Sequence, residues 1–435
     1  MKLSLDECFE FINGGAWNES EYSETGIHVV KVTNLINGSV ELRRDNYLPL
    51  NKYEKYKRHK LSEGDVVIAT VGSHPTQQGS VVGRTSRIPK EFEGSFLNQN
   101  CVCLKNKLPD QVNTRYFYYV TRTILFKGYI EGRAKGSANQ VRMALGDLKK
   151  FTHDFPEIEI QQKIAATLAT YDDLIGNNKL RIALLEDMAE DIYREWFVRF
   201  RFPCYQKSEF EKGYPKDWEN DYAYKFFEHV KGKSYKSDEI TDSDDESMPF
   251  VTLKSFNRGG GYRADGLKAY SGKYRDEQVV HEGDVVMAVT DMTQNREVVG
   301  RVARIPDLGD KGAVISLDVI KLVPKTISST YLYSYMKYSG FGHFIKAFAN
   351  GANVLHLKPD LVTNQKIVVP PEELRNKFED IVNPIHEQIG YLTKEIDNLE
   401  TTKQSLLPRL ISGKLLVEDL DIKFPPSILE TKTVV

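Results

Sequence analysis

Cysteine is scarce in this 435-residue chain. Its four cysteines, Cys8, Cys101, Cys103 and Cys204, form no paired C-x-x-C units. They read as reduced thiols of a cytosolic protein. The nine histidines are scattered, and no metal is expected. No apolar run approaches the ~20 residues that a membrane helix needs. The N-terminal stretch, MKLSLDECFEF, lacks the apolar core of a signal peptide. A cytoplasmic location with no membrane contact is therefore predicted. A surplus of one charge is lacking too: 59 Lys and Arg stand against 61 Asp and Glu, a net charge of −2. A free-standing DNA binder usually carries a basic excess. Any DNA-binding charge must therefore be local or supplied by partners.

Catalytic motifs are also missing. No Asn/Asp-Pro-Pro-Tyr/Phe sequence of adenine methyltransferases occurs; Asn383-Pro384-Ile385 falls inside a predicted helix. There is no Walker A sequence. Gly259-Gly260-Gly261 lacks the strand-to-helix setting of a nucleotide fingerprint and reads as a glycine turn. No carboxylate group forms a nuclease constellation. No catalytic residue is assigned.

The chain does contain a duplication. Glu63-Gly64-Asp65-Val66-Val67 recurs as Glu282-Gly283-Asp284-Val285-Val286, and Val81-Val82-Gly83-Arg84 as Val298-Val299-Gly300-Arg301. Arg87-Ile88-Pro89 returns as Arg304-Ile305-Pro306, and Ala138-Asn139 as Ala352-Asn353. Four matches in one order are hard to obtain by chance. Each half runs from a strand-rich region through a tyrosine-rich helix and a Gly/Ala/Asn loop to a short strand and a long helix.

The long helices carry matching seams. In the first, Ile164, Leu168, Tyr171, Ile175, Asn178, Ile182, Leu185, Ala189, Ile192 and Trp196 alternate spacings of four and three. In the second, Phe378, Val382, Ile385, Ile389, Leu392, Ile396, Leu399, Lys403, Leu406 and Leu410 do the same, each 214 residues later. A 3.5-residue repeat is a coiled-coil seam. The blander alternative is two amphipathic helices packed on separate cores. Asn178 is expected to fix register, Lys403 to snorkel and Pro384 to bend its helix locally. The first helix should end near Arg199–Pro203.

The predicted fold class is α+β: two strand-rich α/β domains related by internal duplication, separated by two long helices forming an antiparallel coiled coil. The expected divisions are 1–156, first domain; 157–200, first helix; 201–220, connector; 221–370, second domain; 371–415, second helix; and 416–435, tail.

Certain stretches resemble a known family. Gly136-Ser137-Ala138-Asn139, Leu148-Lys149-Lys150, Pro156 and Gln161-Gln162-Lys163-Ile164-Ala165 resemble the junction into the central helix of type I restriction-modification specificity subunits. Arg194-Glu195-Trp196-Phe197-Val198 resembles the end of that helix. Leu406-Leu407-Pro408-Arg409-Leu410-Ile411-Ser412-Gly413-Lys414 resembles the C-terminal signature. Val354-Leu355-His356-Leu357 departs from the polar stretch common at that place. The resemblance implies two target-recognition domains, each reading half of a split, asymmetric double-stranded DNA sequence. It implies helices that set the spacer and dock two methyltransferase subunits, which recruit restriction (helicase-nuclease) subunits. S-adenosylmethionine, ATP and magnesium would belong to those partners, and this chain would bind no cofactor.

Base reading needs side chains with hydrogen-bonding forks. Two corresponding loops follow the Glu-Gly-Asp-Val-Val strands. One holds Ser73, His74, Thr76, Gln77 and Gln78; the other holds Thr290, Thr293, Gln294, Asn295 and Arg296. The framework repeats while the loop changes. Candidate phosphate contacts in the first half are Lys55, Lys57, Arg58, Arg133, Lys135, Ser137, Asn139 and Arg142. In the second half they are Lys254, Arg258, Arg263 and Asn353. Ordinary surface hairpins and solvated faces remain the alternatives for these groups. For the whole chain the alternatives are a self-sufficient DNA methyltransferase or nuclease with an unfamiliar site, and a protein-binding coiled-coil scaffold.

Overall fold

The computed structural model describes residues 1–36, 38–41, 46–73, 80–137, 140–241, 246–425 and 428. The fold is mixed α+β and divides into two units, Met1–Asn177 with Ile396–Val435, and Asn178–Glu395. Each long helix is thus shared between units.

The repeat seen in the sequence is a repeat of topology. In the first unit a four-stranded antiparallel sheet has the order Phe9–Asn13, Cys101–Asn106, Val66–Ala69, Thr85–Arg87. In the second the order is Phe227–Lys231, Val319–Pro324, Val285–Ala288, Val302–Arg304. A parallel pair accompanies each sheet: Phe96 and Leu97 beside Val29 and Val30, and Phe250 and Val251 beside Val314 and Ile315.

The Glu-Gly-Asp-Val-Val motif has a job at each step. Gly64 (φ +81°) and Gly283 (φ +85°) take the left-handed turn that a side chain resists. Asp65 accepts from the Ser62 N–H at 2.7 Å and pairs with Lys105 at 2.5 Å. Asp284 repeats this with the His281 N–H at 2.8 Å and Lys321 at 2.7 Å. The valines that follow are buried on both sheet faces, which is why the strand reads as a continuous apolar run.

The tyrosine-rich segments are helices Thr114–Thr121 and Ser329–Tyr338. Asn113 and Ser328 cap them, accepting from the N–H groups of Tyr116 at 2.8 Å and Tyr331 at 3.0 Å. Their rings fill the two main cores.

The first long helix, Ile158–Tyr193, continues as a π-turn over Arg194–Val198. It stops before Phe200, whose φ is +56°, close to the expected end. The second, Glu372–Ile411, runs through Pro384 without interruption. The helices pack together in both units. In the first, Ile164 and Leu168 share a core with Leu406 and Leu410. In the second, Ala189, Tyr193 and Phe197 share one with Phe378, Val382 and Ile385. Residue numbers rise along one helix as they fall along the other, so the packing is antiparallel. Every seam position is buried or half-buried. These positions also join the cores beneath the sheets, so seam and separate-core packing coexist.

Asn178 is buried and donates to Glu395 Oε2 at 3.0 Å. Lys403 differs from the snorkelling expected of it. Its ammonium turns onto Asp172 Oδ1 at 2.7 Å, because a carboxylate stands across the seam. Among the described residues no helix is long and apolar enough to cross a membrane, and no His/Cys/Asp/Glu group could hold a metal.

Candidate nucleic-acid interface

Just after its main-sheet strand, each unit sends a two-residue strand to a different partner. Val71 and Gly72 pair with Arg142 and Val141; Thr290 and Asp291 pair with His356 and Leu355. The loop between Glu-Gly-Asp-Val-Val and Val-Val-Gly-Arg is thereby stitched to the Gly/Ala/Asn hairpin. Neighbouring sheet residues alone would not reveal this pairing.

In the second unit Asp291 builds the loop. It is 2% exposed and accepts from the N–H groups of Thr293 (2.8 Å), Val298 (2.7 Å) and Val299 (3.1 Å) and from the Thr293 hydroxyl (2.9 Å). Burial alone would raise its pKa. The backbone donors together outweigh that and hold the carboxyl below its usual range. The loop is tied down at its far side as well. Gln294 Nε2 donates to the Ala352 carbonyl at 2.8 Å, and an Arg296 Nη donates to the Ala349 carbonyl at 3.3 Å. Arg296 itself has φ +52°. Arg258 pairs with Glu297 at 3.2 Å, bringing the Gly259–Gly261 turn to the same place.

Gln294 and Asn295 are exposed and Arg296 is half-buried. Thr290 is 3% exposed with its hydroxyl 3.5 Å from His356 Nδ1, and the Thr293 hydroxyl is engaged by Asp291. Asn353 is exposed beside Ala352. Gln294, Asn295, Arg296, Arg258 and Asn353 thus come together on one braced surface. Lys254 is exposed, and Arg263 grips Asp265 through two contacts of 2.5 and 2.8 Å.

In the first unit His74, Thr76, Gln77, Gln78 and Asn139 lie outside the described residues. Ser73 is half-buried and its carbonyl accepts from the Ser80 hydroxyl at 2.6 Å. Lys135 and Ser137 lie on the strand that pairs with Gln140–Arg142, opposite Arg142 and Gln140 respectively. Lys135 and Arg142 are exposed next to Val71 and Gly72. The Arg133 guanidinium sits 3.7 Å from the Tyr129 ring centroid. Lys55 pairs with Glu21 at 3.2 Å, Lys57 with Glu54 at 2.7 Å, and Arg58 is exposed.

Residue type alone did not single out Asp291 or Glu297. The available signal was Asp291-Met292-Thr293, where an aspartate can cap the backbone two residues on.

A family model described as the type I restriction modification DNA specificity domain matches residues 1–187. The type I restriction enzyme MjaIX specificity subunit of Methanocaldococcus jannaschii is 27% identical over 330 residues, covering 73% of this chain and 72% of that protein. The putative type I restriction enzyme MjaX specificity subunit of the same organism is 23% identical over 422 residues, 95% of this chain and 93% of the relative. Residues 1–187 match the type I restriction modification DNA specificity domain, and the chain as a whole is similar to type I restriction enzyme specificity subunits. The crystal structure of a type I restriction-modification S subunit from M. genitalium shares its fold, with a TM-score of 0.55 at 16% identity over 94% of this chain and 95% of that one. The relatives that this chain resembles are named as specificity subunits of type I restriction enzymes.

Proposed function

We propose that each β-rich unit of this chain reads one half of a bipartite, asymmetric DNA target, and that the paired helices set the spacer between the halves. The helices also dock two methyltransferase subunits, through which helicase-nuclease subunits join. S-adenosylmethionine, ATP and magnesium are bound by those partners. The observation that carries this reading is the repeated stitching of the two variable loops. The same strand, the same glycine turn and the same hairpin partner hold loops of unlike sequence. A constant frame with a changing insert suits two readers of different sequences. In the second unit Gln294, Asn295 and Arg296 offer the donors and acceptors that base edges match, with Arg258 and Asn353 placed for the backbone.

The test is reconstitution with the methyltransferase subunit, followed by mapping of methylated sites. Two unlike half-sites separated by a fixed unspecified spacer are expected. A continuous, palindromic or absent motif would overturn the reading. Alone, with S-adenosylmethionine, ATP and magnesium supplied, the chain should neither methylate nor cut DNA. Turnover that survives rigorous purification would favour a self-sufficient enzyme.

A further inference from the structure

Two phenylalanines stand exposed beside the second unit's variable loop. Phe344 is 50% exposed and Phe348 is 36% exposed. Neither ring is loose. Tyr335, buried Phe341, Phe344 and Phe348 form a chain with centroid separations of 5.7, 6.2 and 5.2 Å. The segment that carries them is continuous with the loop. Arg296 reaches the Ala349 carbonyl at 3.3 Å, and the Asn350 amide donates to the Phe348 carbonyl at 2.9 Å. Its charge is one-sided: residues 338–359 contain Lys346, Lys358 and two histidines, and no Asp or Glu.

The first unit shows what varies here. Gly83 packs on Ile130, and Gly300 packs on Ile345. Aligned on those isoleucines, Phe344 corresponds to Tyr129 and Phe348 to Arg133. The first unit therefore has an arginine stacked on a tyrosine where the second has two phenylalanines. As with the loops, the frame is kept and the exposed side chains differ.

We propose that Phe344 and Phe348 are a second reading element of this unit, pressed against the DNA and recognising a thymine through its 5-methyl group. The inference rests on the DNA-reading role above and adds a site to it. An exposed apolar pair on a segment whose charged side chains are all basic fits a duplex edge. Phosphates meet the cations, while the major groove offers the thymine methyl as its apolar group. Burying that methyl is worth about 0.8 kcal/mol, roughly a four-fold change in affinity.

The experiment uses the full chain assembled with its methyltransferase subunit, on duplexes carrying the mapped target. Thymines of the half-site read by the second unit are replaced one at a time by deoxyuridine, which lacks only the methyl group. One replacement should weaken binding by about four-fold or more. Phe348→Ala and Phe344→Ala should lose that discrimination and leave the other half-site unchanged. Phe348→Arg, which copies the first unit, should lose it too while keeping affinity through a phosphate contact. Folded variants with undiminished thymine discrimination would overturn the inference, as would a half-site without thymine. Loss of methyltransferase assembly with intact DNA discrimination would overturn it as well, by assigning the patch to a protein partner. If no bipartite target exists at all, the failure lies with the DNA-reading role and is recognised as such before any variant is made.

Discussion

Lys403 Nζ lies 2.7 Å from Asp172 Oδ1, and Oδ2 of the same carboxylate accepts from the Tyr119 hydroxyl at 2.6 Å. Three segments of the first unit meet at one side chain: the tyrosine-rich helix and both long helices. Both charged partners are about two-thirds buried, with exposures of 26% and 30%. An ion pair at this depth is screened less than a surface pair, and removing one member strands the other. Lys403→Met should therefore cost about 1–3 kcal/mol, between the surface and fully buried cases. The double variant Asp172→Asn, Lys403→Met should lose less than the sum of the single changes. Urea unfolding of the four proteins measures this. Strict additivity would show that the pair contributes nothing.

At the position that repeats Asp172, the second unit has His386. It is 9% exposed, edge-on to the Tyr333 ring at 5.6 Å, with Nε2 unpartnered. Burial, then the nearby charges of Arg304 and Lys337, push its pKa down to about 3. An unfolded histidine titrates near 6.5, so between those values the unfolded chain binds the extra proton. This site's contribution is therefore steady above about pH 6.5 and falls as the pH drops from there toward 3. His386→Met should remove that part of the acid sensitivity. Thermal midpoints from pH 8 to pH 5 should diverge between wild type and variant. Parallel curves would contradict the burial argument.

Asp291→Ala should loosen the second unit's loop while leaving its sheet intact. A carboxylate hydrogen bond contributes about 1.5–3 kcal/mol, and this one accepts from three backbone donors and a hydroxyl. Target affinity should fall at least ten-fold, with the loss confined to one half-site. Equal losses at both half-sites in a binding competition would contradict that placement.

Much of this was legible because it rests on local rules. The Glu-Gly-Asp-Val-Val repeat needs a glycine for its turn and an aspartate to close it, so its two copies stayed recognisable. The seams were legible because helix packing imposes a period. Pairings between distant segments were not. No local pattern says that Thr290 pairs with His356, or that a seam lysine finds Asp172 instead of solvent. The π-turn at Arg194–Val198 escaped for the same reason, since the aromatic packing of Phe197 on Phe378 and Trp218 is tertiary.

The helix pair also offers a test of the spacer. Asn178 faces Glu395, so matched insertion points lie after Asn178 and before Glu395. One heptad at each point keeps both seams in phase and adds roughly 10 Å of helix, about three base pairs of DNA. Methylation of a library with varied spacers should shift toward longer spacers, or binding to the original site should be lost, while each half-site sequence stays the same. An unchanged preference would show that the helices do not set the distance.

The central claim is that the two units read independently. Arg296 holds a left-handed backbone conformation that glycine adopts without strain, so Arg296→Gly removes the side chain, with its tie to the Ala349 carbonyl, without straining the backbone. Combined with Gln294→Ala and Asn295→Ala, it strips the candidate reading groups from one unit alone. Each lost base contact should cost about 1–3 kcal/mol of discrimination. The decisive measurement is the methylated-site map of the reconstituted complex, wild type against this triple variant. The account predicts relaxed base preference in one half-site, with the other half-site and the spacer unchanged. Both half-sites shifting together, or neither, would contradict it.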